Sequence, residues 1–245
     1  MQRYFIEADS IKGNRIIITG DDVHHIRTVL RSNPGEKVLC CDSRGTDYIV
    51  HLEKFHADAI EGRIETSTPS LSEAPIHITI AQSLPKGDKM DYVVQKGTEL
   101  GASAFLPFMS QRTVVKLNDK KAEKRVERWQ RIAKEAAEQS HRGKIPIVHG
   151  PIPWKQLLHD QASFDHVWIA YEKGGEALTA AGRDIEHGDR LLIIIGPEGG
   201  FTDEEVSEAE EAGMTRVSLG PRILRTETAG LAVLACLMVI NGEVG

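Results

Sequence analysis

The chain of 245 residues is poor in cysteine: Cys40, Cys41 and Cys236 are all it has, and no two of them form a CxxC pair. That excludes a disulfide scaffold and gives no zinc-ligand spacing, and an adjacent pair plus one distant thiol suits a reducing compartment. Long apolar runs are missing as well. The longest, Ala229 to Ile240, has twelve residues, where about 18 or more are needed to span a bilayer. The opening MQRYFIEADS has no apolar signal region, so a cytoplasmic protein with no membrane partner is expected. Neither sign of charge dominates, with 30 Lys and Arg against 36 Asp and Glu. With 40% hydrophobic residues the composition is that of a folded chain with material for a core, which excludes disorder and collagen-like repeats.

The net charge of −6 hides a gradient: residues 1–85 carry −3, residues 86–144 carry +6 and residues 145–245 carry −9. A basic middle in an acidic chain can hold a polyanion on one face and repel it elsewhere. The alternative is a solvated helix face. Lys116, Lys120, Lys121, Lys124, Arg125, Arg128 and Arg131 interleave with Asp119, Glu123 and Glu127. That is half of a salt-bridged i,i+4 pattern, so only the excess charge can serve RNA.

The first 65 residues read as short strands, at 15–19, 37–41 and 48–52, separated by Pro34-Gly35 and Ser43-Arg44-Gly45. One helix, near 21–31 and capped by Asp21 or Asp22, interrupts them. This spacing predicts a small β-barrel over 1–72. Thr66 to Pro75 is polar and Pro-flanked, the best linker in the chain. Beyond it, strands at 76–82, 104–108, 145–149, 166–170, 191–195 and 216–219 alternate with helices at 88–100, 119–140 and from about 226. Leu191 to Ile195 is apolar on both faces, as a central parallel strand must be. The fold class over 73–245 is therefore α/β, a parallel sheet with its ligand site at the strand carboxyl ends.

Two turns stand at such ends. Gly196-Pro197-Glu198-Gly199-Gly200-Phe201 follows the central strand and leads into Thr202-Asp203-Glu204-Glu205. It is neither a GxGxxG nor a GxxxxGK[ST] loop. Thr202 with Glu205 forms a capping box, and three acids in the first turn satisfy the helix N-terminus and repel a phosphate there. The loop suits a neutral or cationic ligand, or is simply a structural turn. The second, Leu219-Gly220-Pro221-Arg222-Ile223-Leu224-Arg225-Thr226-Glu227-Thr228-Ala229, sets two arginines and an acid among apolar residues. Loops at neighbouring strand ends commonly enclose one ligand. His24-His25 has no partners at metal-ligand spacing, and no metal is expected. No hydrolase constellation is present.

Together, GPEGGFTDEE (196–205) and LGPRILRTETA (219–229) resemble the SPOUT class of S-adenosylmethionine-dependent RNA methyltransferases, closest to the RsmE family. HHIRTVLR (24–31), KGTELG (96–101) and QSHRGKIP (139–146) support the match, which extends over nearly the whole chain. The resemblance implies an N-terminal PUA-like β-barrel and a C-terminal domain with a deep trefoil knot, working as a homodimer with catalytic sites near the knot interface. It implies methylation of N3 of one uridine in 16S ribosomal RNA, with that RNA expected as partner within the 30S subunit or its precursor. A ribose 2′-O-methyltransferase and a non-catalytic RNA-binding module are the alternatives. By the resemblance, S-adenosyl-L-methionine lies against Ile195, Gly196, Pro197, Glu198, Gly199, Gly200, Leu219, Gly220, Ile223, Leu224, Thr226, Thr228 and Ala229. Arg225, with Arg222 and Glu227, is assigned to catalysis, and Arg3, His25, Arg27, Arg31, Lys86, Lys89 and Arg142 to RNA binding. The acid-rich turn yields a first prediction: calorimetry shows binding of S-adenosylmethionine and none of ATP or NAD. Tight binding of either nucleotide, without S-adenosylmethionine binding, contradicts it.

Overall fold

The structure is a computed structural model that describes residues 1–115 and 118–243; Lys116 lies outside the described residues. It divides into two compact units, residues 1–73 with 137–145, and residues 74–136 with 146–245. None of the described helices is long and apolar enough to cross a membrane.

The first unit is one six-stranded sheet: β1 (Arg3–Phe5), β2 (Ile11–Lys12), β3 (Arg15–Thr19), β4 (Lys37–Cys41), β5 (Thr46–Phe55) and β6 (Ala59–Pro69). Its order is β1-β4-β5-β6-β3-β2, with only β1 and β4 parallel. Alternating residues Ile16 and Ile18, Val38 and Cys40, and Val50 and Leu52 meet Tyr4 and Ile60 in a single core, so the sheet curls into the half-barrel expected of a PUA-like module. Burial pushes the Cys40 and Cys41 thiols up to about 12 and about 11, which leaves them core side chains and not nucleophiles.

Three expectations change here. The helix at 21–31 is only α1 (Asp21–His24) followed by one π turn, His25–Val29. Its N-cap is Gly20, and Asp21 and Asp22 lie inside the first turn, where they favour the helix dipole without capping it. The linker begins later than Thr66, because β6 runs on to Pro69, which pairs with Thr46; the ten-residue β5 offers a partner that overrides polar composition. Finally, Arg3 and Arg142 do not present their charge outward. Arg3 is 3% exposed; it holds both Asp47 carboxylate oxygens at 2.6 and 2.8 Å and the Arg142 carbonyl at 2.8 Å. Arg142, 4% exposed, forks onto Glu73, whose Oε1 also accepts the Gly143 and Lys144 amides. Buried charges must be paired, and these two fasten 137–145 to the rest of the unit.

The second unit contains β7 (His77–Ser83), α2 (Lys89–Glu99), β8 (Ala104–Met109), α3 (Asp119–Gln139, its end in the first unit), β9 (Ile147–Val148), β10 (Ile152–Pro153), α4 (Trp154–Asp160), β11 (His166–Ala170), β12 (Glu176–Ala177), α5 (Leu178–Ala181), β13 (Arg190–Ile195), α6 (Asp203–Glu211), β14 (Thr215–Ser218) and α7 (Thr226–Ile240). The sheet is parallel throughout, ordered β10-β8-β7-β13-β11-β14-β12, with β9 beside β8. Phe108, Trp154, Phe201 and Val206 pack on one face; α7 reaches the other, where Gly230 lies against Ile80 and Ile195. The expected strand at 145–149 shrinks to two residues, and the two-residue strands β10 and β12 carry too little pattern to be read from sequence.

A prediction follows from Gly97, in the last turn of α2. A Cβ there would stand 2.7 Å from Cε1 of the fully buried Phe105 and 3.4 Å from Ile80 Cδ1. Helix propensity favours alanine by about 1 kcal/mol, while overpacking costs about 1–3 kcal/mol. Gly97→Ala should therefore lower the urea midpoint, and a more stable variant would show that the ring yields freely.

Candidate active site

At the carboxyl ends of β11, β13 and β14 the two turns enclose a pocket of about 530 Å³. Its lining includes Ile195 to Phe201 from the first turn and Leu219, Gly220, Arg222 to Thr226 and Ala229 from the second. The first turn closes with the Gly200 amide donating to Pro197 O at 2.9 Å. Gly200 has φ +67°, a conformation that favours glycine, and it passes close to the exposed Glu172 carboxylate, 3.1 Å from where a Cβ would stand.

The capping box expected at α6 is present. Thr202 Oγ1 accepts the Glu205 amide at 3.1 Å and Glu205 Oε2 accepts the Thr202 amide at 3.0 Å. Glu205 Oε1 also accepts the Gln111 amide at 2.7 Å, and Arg112 donates to the carbonyls of Gly199 and Phe201. The loop after β8 thus braces the glycine turn. Asp203 takes hydrogen bonds from Tyr171 and Lys173, which hold its carboxyl below the ordinary range.

One lysine organises the pocket's charged rim. Lys89 Nζ lies 3.0 Å from Glu198 Oε1 and 3.4 Å from Glu227 Oε2, and the Lys86 amide also donates to Glu198. Burial alone would raise Glu198; the Lys89 ammonium and nearby backbone amides outweigh it and lower the carboxyl, while the hydrogen bond to Glu198 raises Lys89. Arg222 and Arg225 are exposed residues of the lining, and their side chains have no hydrogen bond or ion pair among the described residues.

Comparison with known proteins agrees with this architecture. An RNA methyltransferase domain model matches residues 72–238 and an RNA methyltransferase PUA domain model matches residues 18–65. Ribosomal RNA small subunit methyltransferase E of Bacillus subtilis is 45% identical over 245 residues, covering 97% of this chain and 96% of its own. The chain belongs to the ribosomal RNA small subunit methyltransferase E family. A crystal structure of that enzyme from Neisseria gonorrhoeae, bound to S-adenosyl methionine, matches at 33% identity and TM-score 0.88 over 98% of this chain and 97% of that one. A Legionella pneumophila protein in complex with the same cofactor matches at 29% identity and TM-score 0.86, over 97% and 96% of the two chains.

Within this family member the structure sorts the residues singled out from sequence. Every residue of the two turns assigned to the cofactor lines the pocket except Thr228, which is exposed on α7 outside the lining. Glu227 stands at the rim through Lys89 and not in the lining. Lys89 is engaged by two carboxylates, and Lys86 is exposed. In the first unit, His25 Nδ1 hydrogen-bonds with the Tyr4 hydroxyl at 3.0 Å. Arg27 donates to the carbonyls of His56 and Ala57, and Arg31, at φ +55°, is exposed. Ala170, Tyr171 and Glu172 join the lining unannounced. Ala170 ends β11 and the other two follow it, and the strand-end rule would have found them had the sequence disclosed that β11 neighbours β13.

The rim makes a pH prediction. Glu198 is depressed when folded, so its contribution is present above the unfolded value and lost as pH falls through the folded one. Lys89 is raised, so its contribution is present below the unfolded lysine value and lost as pH rises through the folded one. In Lys89→Met only burial and the backbone amides act on Glu198, and a carboxyl-observed NMR titration should show its pKa move upward. No movement would show that Lys89 does not govern it.

Proposed function

We propose that this chain methylates N3 of a uridine in 16S ribosomal RNA, with S-adenosyl-L-methionine held in the pocket formed by residues 195–201 and 219–229. One observation carries the reading: both turns with the family's sequence motifs line a single pocket at the centre of the sheet. The pocket fits the cofactor. Its volume is ample for a nucleoside-sized ligand, Ile195, Leu219 and Leu224 supply apolar walls, and Gly196, Gly199 and Gly200 expose backbone. Glu172 and Glu198 bring carboxylates suited to a ligand bearing a sulfonium and an ammonium group, and the acids of α6 disfavour phosphate. When bound, the cofactor supplies an electrophilic methyl group.

The uracil N3–H is protonated at neutral pH, and its removal leaves negative charge shared with the two flanking carbonyl oxygens. A guanidinium is well matched to that charge as it develops, and gains less from the neutral ground state. The Arg225 side chain has no hydrogen bond or ion pair among the described residues, while Lys89 is the cation that meets Glu198 and Glu227. Arg222 serves beside it. For RNA, the exposed Lys120, Lys121, Lys124 and Arg131 of α3 supply charge outside the acidic C-terminal third, together with Arg27 and Arg31. Arg128 is paired instead with Asp91 of α2.

The late strand β13 lies between β7 and β11, both earlier in the chain, a placement in keeping with a trefoil knot. Ala235, Cys236, Val239 and Ile240 leave an exposed apolar strip along α7, which we assign to a homodimer interface; Leu234 is core. The substrate is free 16S RNA, the 30S subunit or its precursor, in the cytoplasm.

Arg225→Lys keeps the charge and loses the planar fork. Single-turnover methylation should fall at least tenfold, about 1.4 kcal/mol of transition-state stabilisation, with cofactor affinity little changed. A parallel collapse of cofactor binding would make Arg225 a loop-shaping residue.

A further inference from the structure

We propose that Gln82 is a positioning residue for methyl transfer, its side-chain amide setting the spacing between the two turns that enclose the cofactor. This rests on the cofactor reading of the pocket given above. Gln82 is the next-to-last residue of β7 and lies in register with Ile195, the last residue of β13 before the glycine turn. It is fully buried in a strand whose inner neighbours Ile78, Ile80 and Ala81 are all apolar and fully buried.

A hydrogen-bond relay runs from the end of β7 to both turns. Gln82 Nε2 donates to Thr226 Oγ1 at 2.8 Å, and that hydroxyl donates its one proton to Gly196 O at 2.6 Å. Gly196 opens the first turn, Thr226 closes the second, and both line the pocket. The direction of the relay is forced. Nε2 also donates to Ser83 O at 3.0 Å; Ser83 O and Gly196 O are carbonyls that only accept, so turning the amide over would set oxygen against oxygen.

The other half of the amide sharpens the inference. Gln82 Oε1 is buried and has no partner among the described residues. An unpaired buried acceptor is a penalty that a methionine of similar shape would avoid, so the site keeps glutamine for its donor. The next residue supports the same first turn by a second route: Ser83 Oγ meets Ser110 Oγ and Thr113 Oγ1, each at 2.9 Å, and the intervening Arg112 grips Gly199 and Phe201. The end of β7, which does not itself line the pocket, thereby fixes the turns that do.

The test is calorimetry with S-adenosylmethionine on the full chain, alongside RNA gel shift and thermal melting. Gln82→Met and Thr226→Val should each weaken cofactor binding about tenfold or more, leave RNA affinity unchanged, and combine to no more than the larger single loss, because they cut one path. Gln82→Glu adds a readout that packing alone would not move. A buried carboxyl stays neutral at low pH, keeping one O–H donor, and loses it as pH rises, so cofactor affinity in this variant should fall with rising pH more steeply than in the wild type. A folded Gln82→Met with wild-type cofactor affinity, or fully additive losses in the double variant, overturns the proposal. If Gln82→Met does not fold, the pH dependence of Gln82→Glu decides. A wild-type chain that binds no S-adenosylmethionine refutes the reading of the pocket itself; a wild type that binds it beside indifferent variants refutes only the role of Gln82.

Discussion

The molecule's chemistry depends on where β13 can go. Leu191 to Ile195 is buried on both faces, and at about 1.5–3 kcal/mol for each large aliphatic side chain removed from water no edge position competes with the centre of the sheet. There β13 pairs with β7 on one side and β11 on the other. Its next residue, Gly196, must therefore emerge between the carboxyl ends of two strands, with a third, β14, one place further along. The pocket is the space those ends leave, and its residues come from separate stretches of sequence because the sheet order is not the chain order.

Electrostatics then divides the rim into two kinds of charge. Lys89 is held by Glu198 and Glu227, and the first turn of α6 is closed by its own capping box and by Gln111. Among the described residues of the lining, Arg222 and Arg225 of the second turn and Glu172 have no side-chain hydrogen bond or ion pair. Arginines in the lining beside a partly paired set of acids are suited to negative charge that develops during a reaction.

Much of this was legible in the sequence, for identifiable reasons. β13 announces itself by five consecutive aliphatic residues, the capping box by Thr202 and Glu205 at fixed spacing, and the two turns by glycine and proline after apolar strands. These are local signals. The burial of Arg3 and Arg142 was not legible, because a basic side chain looks the same in sequence whether it is exposed or buried on Asp47 or Glu73; the difference is made by partners dozens of residues away. Gln82 and Glu172 were invisible for a related reason, since their meaning comes from which strand lies beside β13. The π turn after α1 and the two-residue strands are too short for any period to show.

The central claim is that the pocket serves methyl transfer to a uracil nitrogen. It is tested most directly by incubating the chain with methyl-labelled S-adenosylmethionine and small-subunit RNA or subunits, then digesting to nucleosides and locating the label. Label is expected on N3 of a single uridine. Label on a ribose 2′-oxygen, or RNA that is bound and left unlabelled in every form offered, would contradict it.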